Sequence, residues 1–402
     1  MQVCFCRVPT IMVFVISITS CEQKQADIPP ISFEENLQQQ LIEAESGDVI
    51  EIPSGVHRLT RSLSLNVSGV TIKGAGINSS ILSFKDQQQG AEGLLVSADN
   101  FTIQDLAIED TTGDALKVNE SNNVVIRNVR TEWTNGPATT NGAYGIYPVQ
   151  STNILIDGAV AIGASDAGIY VGQSSQIIVR NSHAESNVAG IEIENSTYAD
   201  VYNNVAVNNT GGILVFDLPN LPVQGGANTR VFNNEISTNN TSNFAPAGNI
   251  VGTVPSGTGL MVLANDNIEI FGNTFNENNS ANILVVSYYI TERPFDDPNY
   301  DPFPEYIHIH ENQFNGGGTS PDSEPLEALQ SATGKPIPHV VWDGTIKQDS
   351  KFNQVLCMQN NNALTYVNLD ASNGFSMPTF DPASHDCTLP KLSQISLSFD
   401  TE

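Results

Sequence analysis

The stretch Ile177-Ile178-Val179-Arg180-Asn181, Gly190-Ile191-Glu192-Ile193, Val201-Tyr202-Asn203, Gly212-Ile213-Leu214-Val215 repeats two short apolar patterns in alternation. One is a strand with apolar residues at every second position, followed by Asn or Gly. The other is led by Gly. From Val179 to Val201 is 22 residues, as is Ile169 to Ile191 and Ile191 to Ile213. Period-two alternation marks strands with one buried face, and a fixed period of 20–50 residues marks a solenoid.

Working outward, the first pattern recurs at Val124-Val125-Ile126-Arg127-Asn128, Ile154-Leu155-Ile156-Asp157-Gly158, Val231-Phe232-Asn233, Ile268-Glu269-Ile270 and Ile307-His308-Ile309. The second recurs at Gly145-Ile146-Tyr147, Gly168-Ile169-Tyr170-Val171, Gly259-Leu260-Met261-Val262 and, related, Asn282-Ile283-Leu284-Val285. Ile103 to Ile126, Ile146 to Ile169 and Ile156 to Val179 are each 23 apart. Two short strands per repeat with room for a third predict one coil of a β-helix. The fold class is therefore all-β, a right-handed single-stranded parallel β-helix, the hand following from the rule for parallel crossovers. A leucine-rich consensus is absent. Asn187, Asn209, Asn239 and Asn278 each lie eight residues beyond a first-strand anchor, which predicts one stacked corner ladder.

Phe33, Leu37 and Leu41 have helical spacing and precede Gly47-Asp48-Val49-Ile50-Glu51-Ile52-Pro53-Ser54-Gly55. These residues resemble the start of the pectin-lyase-like superfamily of right-handed β-helices, in which a capping helix leads into such a segment. A cap is physically required, because an open solenoid end exposes apolar core and unpaired edges. The resemblance covers Phe33 to Gly318. After Gly316-Gly317-Gly318 the period fades, so residues 319–402 are expected to form an irregular C-terminal cap and tail.

The N-terminus reads as an export signal. Arg7 precedes the apolar run Val8–Ile18, which is too short to span a bilayer, and Ile18-Thr19-Ser20-Cys21 follows. This looks like a lipoprotein lipobox, which implies lipidation of Cys21, residues 1–21 as signal peptide and lipobox, 22–32 as linker, and 33–318 as the β-helix. With Glu22 in place of a retention Asp, the expected location is the outer membrane or cell surface. In an oxidising compartment Cys357 and Cys387 are expected to form a disulfide. Sixteen Lys and Arg against 44 Asp and Glu give a net charge of −28, which disfavours nucleic acid as a partner. A monomer is expected.

Function is sought on the outward residues. Alternation turns Ile169, Ile191 and Ile213 inward, so Lys117, Tyr147, Tyr170, Glu192, Leu214, Met261 and Leu284 form one outward column, with Val149, Gly172, Glu194, Phe216, Leu263 and Val286 beside it. Insertions at 135–143, 217–228, 241–257 and 289–305 interrupt the period at both margins of this sheet and are expected to wall a groove. Aromatic faces suit sugar rings, and carboxylates suit hydroxyls or a divalent cation. Glu192, Glu194 and Lys117 are the candidate catalytic groups; Tyr147, Tyr170, Phe216 and Asp217 are the candidate ligand-binding residues, with Ca²⁺ as the candidate cofactor. The other reading of these residues is tyrosines that stack on one another and acids that solvate the sheet. Arg127, Asp157 and Arg180 form an alternating charge ladder. His308 and His310 share a strand face that permits two-point metal ligation, without a third ligand visible; His183 stands alone on a turn.

The resemblance implies a polysaccharide lyase, hydrolase or epimerase, although no epimerase-like Asp-Pro-His motif appears in the repeats. A binding lipoprotein holding an extracellular polysaccharide is the companion reading. The coils also look like those of the periplasmic copper-handling β-helix protein of nitrous-oxide reductase maturation, implying a metal accessory role, although few His or Met residues are available for copper. A third alternative is a surface module that docks another exported protein.

Overall fold

A computed structural model describes residues 31–348 and 355–399. Cys21 and the rest of the export signal lie outside the described residues. No described helix is long and apolar enough to cross a membrane.

From Phe33 onward the chain winds as a right-handed parallel β-helix. Its two sheets hold nineteen and eleven strands among the described residues, paired coil on coil. The larger sheet contributes two faces per coil. The first face is carried by strands such as Thr152–Asp157, Ser175–Arg180, Thr197–Tyr202, Ala227–Phe232, Asp266–Phe271 and Ile307–His310; the second by Val160–Ile162, His183–Glu185, Val205–Val207 and Glu235–Ser237. The smaller sheet is the third face, running through Leu116–Asn119, Tyr144–Val149, Ala167–Gly172, Ala189–Glu194, Gly211–Phe216, Thr258–Leu263 and Ala281–Val286.

Register follows the sequence period. Ile169 pairs Ile191, which pairs Ile213, which pairs Leu260. These side chains are fully buried in one core running the length of the solenoid. Burying each stabilises by roughly 1.5–3 kcal/mol, and the stack repeats this on every coil.

The Asn or Gly after each first-face strand has a backbone reason. Asn128, Asn181, Asn203 and Asn233 have φ between 49° and 55°, and Gly158 and Gly272 have φ of 69° and 63°. The chain must enter the left-handed region to turn from the first face to the second, and Asn and Gly do so at least cost.

The predicted asparagine column forms. The Nδ2 of Asn187 donates to Oδ1 of Asn209, Asn209 to Asn239, and Asn239 to Asn278, at 3.0, 3.0 and 3.1 Å. Its conformational basis differs from the expectation, because the left-handed residues are the preceding ones, Ser186, Asn208, Thr238 and Glu277. A second ladder, Asn204, Asn234, Asn273, Asn312 and Asn361, occupies the corner between the first and second faces. Ser121, Ser151, Ser174 and Ser196 line the third corner, each hydroxyl accepting the preceding coil's backbone N–H.

The helix Phe33–Glu43 caps the N-terminal end through Leu37 and Leu41. At the other end the solenoid extends past Gly318: Val340–Trp342, Leu356–Gln359 and Tyr366–Asn368 add further rungs, after an excursion that contains the helix Glu324–Thr333. The described tail then runs back along the outside of the first face. Cys387 is bonded to Cys357, Leu392 N–H donates to Glu269, and Ile395 N–H donates to Asp200. Ile395 and Leu397 pack on Leu155 and Ile178. This strap is what covers the outward apolar residues of the first face. Beside it Asp157 joins Arg180 at 3.0 Å and Arg127 at 4.0 Å, the predicted charge ladder.

Asn209→Ala should lower stability by roughly 2–3 kcal/mol, because it leaves Asn187 N–H without an acceptor inside the corner and removes one bond each from Asn187 Nδ2, Asn239 Oδ1 and Ala184 O. Exposed Asn203→Ala should cost about 1 kcal/mol, for its backbone alone. Urea unfolding followed by circular dichroism checks the contrast.

Candidate functional site

The two outward columns of the third face are aligned as the period requires. Lys117 pairs Tyr147, Tyr170 pairs Glu192, Glu192 pairs Leu214, and Gly172, Glu194 and Phe216 run beside them. The insertions cover half of this face outright. Val251 and Val254 from one insertion and Tyr288 and Tyr300 from another bury Leu214, Phe216, Met261 and Leu284. The cover is stitched together. Arg293 donates to the carbonyls of Gly248 and Asn249 at 3.0 and 2.7 Å, Tyr300 hydroxyl donates to the carbonyl of Asp217 at 2.6 Å, and Gln224 bonds Asp297.

Phe216 therefore has no exposed surface and serves as core beneath the cover. Asp217 is buried too, and its Oδ1 accepts from the backbone N–H groups of Gly225 and Gly226, closing the loop that follows the strand. Burial pushes its carboxyl up to about 6.

Where the cover stops, aromatic residues surface. Tyr144 and Tyr147 are half-buried, with ring centroids 4.4 Å apart, and Tyr170 lies 4.6 Å from Tyr144 and 5.0 Å from Tyr147. Lys117 Nζ sits 4.8 Å over the Tyr147 ring and 3.9 Å from Asp114. Tyr170 folds inward across Gly172, where a Cβ would overlap its ring, and its hydroxyl donates to Glu194 at 2.6 Å.

Behind this shelf lies a buried set of acids. Asp166, 5% exposed, accepts from Asn249 Nδ2 at 2.7 Å, so one insertion reaches the set directly. Burial, then the charge of Glu194, pushes Asp166 up to about 7. Burial also lifts Glu194 to about 7 against the opposing bond from Tyr170. Glu192 is 1% exposed with no partner for either oxygen; burial and the neighbouring acids hold it well above the carboxylate range. Asp114, nearer solvent, is raised to about 6, again mainly by burial. Tyr147 is raised to about 12, so its hydroxyl stays neutral.

This arrangement offers neutral carboxyl groups as proton donors near pH 7, neutral phenols as hydrogen-bond donors, an aromatic surface and one cation. Among the described residues, the group of three ligating side chains whose donor atoms all lie within 4.8 Å is Glu269, His308 and His310, on the first face.

Asp114, Tyr144, Asp166 and Asn249 were not legible from strand alternation. Asp114 and Tyr144 sit two residues before the inward Leu116 and Ile146, and Asp166 three before Ile169, at the entry edge of the third face. The offset shared by Asp114 and Tyr144 is the signal that could have marked those two; Asp166 and Asn249 carry no periodic signal.

Comparison with known proteins agrees with the fold. The profile described as "Right handed beta helix region" matches residues 63–224. The A-module of Azotobacter vinelandii mannuronan C-5 epimerase AlgE4 is similar in structure, with TM-score 0.55, 16% identity, and 82% of this chain and 89% of that one covered. An alginate lyase from Paenibacillus sp. has TM-score 0.47, 16% identity, and coverage of 71% and 94%. No curated protein matches the sequence. The profile match and the epimerase module define the class, a right-handed parallel β-helix.

Raised carboxyls carry a sign. Asp166 and Glu194 bind their protons more tightly folded than unfolded, so their contribution is complete below about pH 4 and is lost as pH rises toward 7. The urea midpoint should therefore be lower at pH 8 than at pH 5, and Asp166→Asn with Glu194→Gln should recover roughly 2–4 kcal/mol of that difference.

Proposed function

We propose that this chain is an exported lipoprotein, anchored through Cys21, that holds or processes an extracellular polysaccharide on the third face. The observation that carries the reading is the shelf itself: Tyr144 and Tyr147 half-exposed at the rim of the cover, with Lys117 and Asp114 beside them. A sugar ring packed against the solvent side of the Tyr144–Tyr147 pair would bring its hydroxyls toward Lys117 and Asp114, with Asp166 and Glu194 behind the shelf as proton donors near neutral pH. The mannuronan epimerase module, named for action on a polysaccharide, has a similar solenoid, which supports a sugar polymer as the ligand class.

The mature protein should be titrated with a panel of neutral and anionic polysaccharides, following binding heat, new reducing ends and the absorbance of unsaturated ends. Tyr147→Ala should weaken binding roughly tenfold, the loss of about 1.4 kcal/mol of ring stacking. If no polysaccharide gives heat or product, the reading fails.

A further inference from the structure

On the first face, outside the polysaccharide shelf, Glu269 pairs His308 across adjacent coils, and His310 follows on the same strand and the same side. All three are buried, at 3%, 7% and 6% exposure. The two imidazoles lie 4.3 Å apart, and His310 Nε2 is 3.1 Å from Glu269 Oε1. Both nitrogens of His308 are shielded from solvent and have no hydrogen-bond partner. A neutral imidazole carries one donor and one acceptor, and leaving such groups buried and unbonded costs roughly 1–3 kcal/mol each.

We propose that Glu269, His308 and His310 bind a divalent transition ion of the zinc class beneath the C-terminal strap. Two imidazoles and one carboxylate suit zinc, cobalt or nickel better than calcium or magnesium. The 3.1 Å between His310 Nε2 and Glu269 Oε1 is close to the roughly 3.3 Å edge between two ligands each about 2.0 Å from a tetrahedral ion. Glu311 Oε2, 3.7 Å from His310 Nδ1, lies beside the ring nitrogen that would face away from the ion, where it favours the tautomer that leaves Nε2 free to ligate. The site also sits at the strap's attachment. Glu269 Oε2 accepts from Leu392 N–H, and Cys357, the next rung after His308, is bonded to Cys387. The ion would fix Glu269 and so hold the strap against the solenoid, alongside the disulfide.

The test uses untagged mature protein purified without chelator. Elemental analysis should find close to one zinc per chain. After chelation, added Co²⁺ should give visible d–d bands that Zn²⁺ displaces, and hydrogen exchange at residues 391–399 should slow when Zn²⁺ is restored. His308→Ala and Glu269→Gln should each weaken Co²⁺ binding at least tenfold; the glutamine variant keeps side-chain volume and so separates ligand loss from misfolding. Absence of a Co²⁺ spectrum in the unaltered protein, or equal binding by Glu269→Gln and His308→Ala, overturns the site.

Discussion

The interaction on which the rest depends is the parallel backbone ladder between successive coils. A rung can pair with the next only if each coil returns to the same height and phase, so the three corners must turn by fixed angles. That requirement explains the left-handed Asn and Gly positions, and it explains why asparagine and serine stack in files at the corners: their side chains accept the backbone N–H groups that the turns leave without a ladder partner. Once register is fixed, inward residues become a continuous core and outward residues become columns.

Much of the architecture was legible because it is periodic. The inward file Ile169, Ile191 and Ile213, the capping helix at Phe33, the corner ladder from Asn187 and the Arg127–Asp157–Arg180 charge ladder all follow from constant offsets. What was hidden is aperiodic. The rungs at Val340, Leu356 and Tyr366 stand behind an excursion that breaks the count, and so the solenoid seemed to end at Gly318. The strap joins Ile395 to Asp200 across 195 residues, a contact for which no local pattern exists. The Asn204 file was masked by its neighbour Asn203, whose left-handed backbone already accounted for an asparagine there.

The site was half legible for a related reason. Alternation correctly directs Tyr147, Tyr170, Glu192, Glu194 and Lys117 outward, but outward from a sheet is not the same as exposed. Insertions flagged as groove walls turn out to meet over the sheet, where Arg293 and Tyr300 fasten them, so Phe216 and Asp217 are interior while Tyr144 and Tyr147 mark the edge. Depth of burial depends on how loops pack, and composition does not encode it. The third metal-ligating candidate was likewise out of view, since Glu269 reaches His308 only through coil-to-coil pairing.

Beneath the cover, Leu214, Met261 and Leu284 show what the outward column requires structurally, which is apolar side chains facing an apolar lid. One rung earlier the same column holds Glu192, buried with no partner for either oxygen, with buried Glu194 and Asp166 around it. Burying carboxyl groups in this way costs stability above neutral pH, and the neighbouring rungs demonstrate that the fold has no need of them. Departures from a local packing rule that bring no structural gain concentrate where chemistry is done. The change from apolar to acidic along one column, at the point where the tyrosines emerge, is therefore the physical reason to place the site at that rung and not elsewhere on the solenoid.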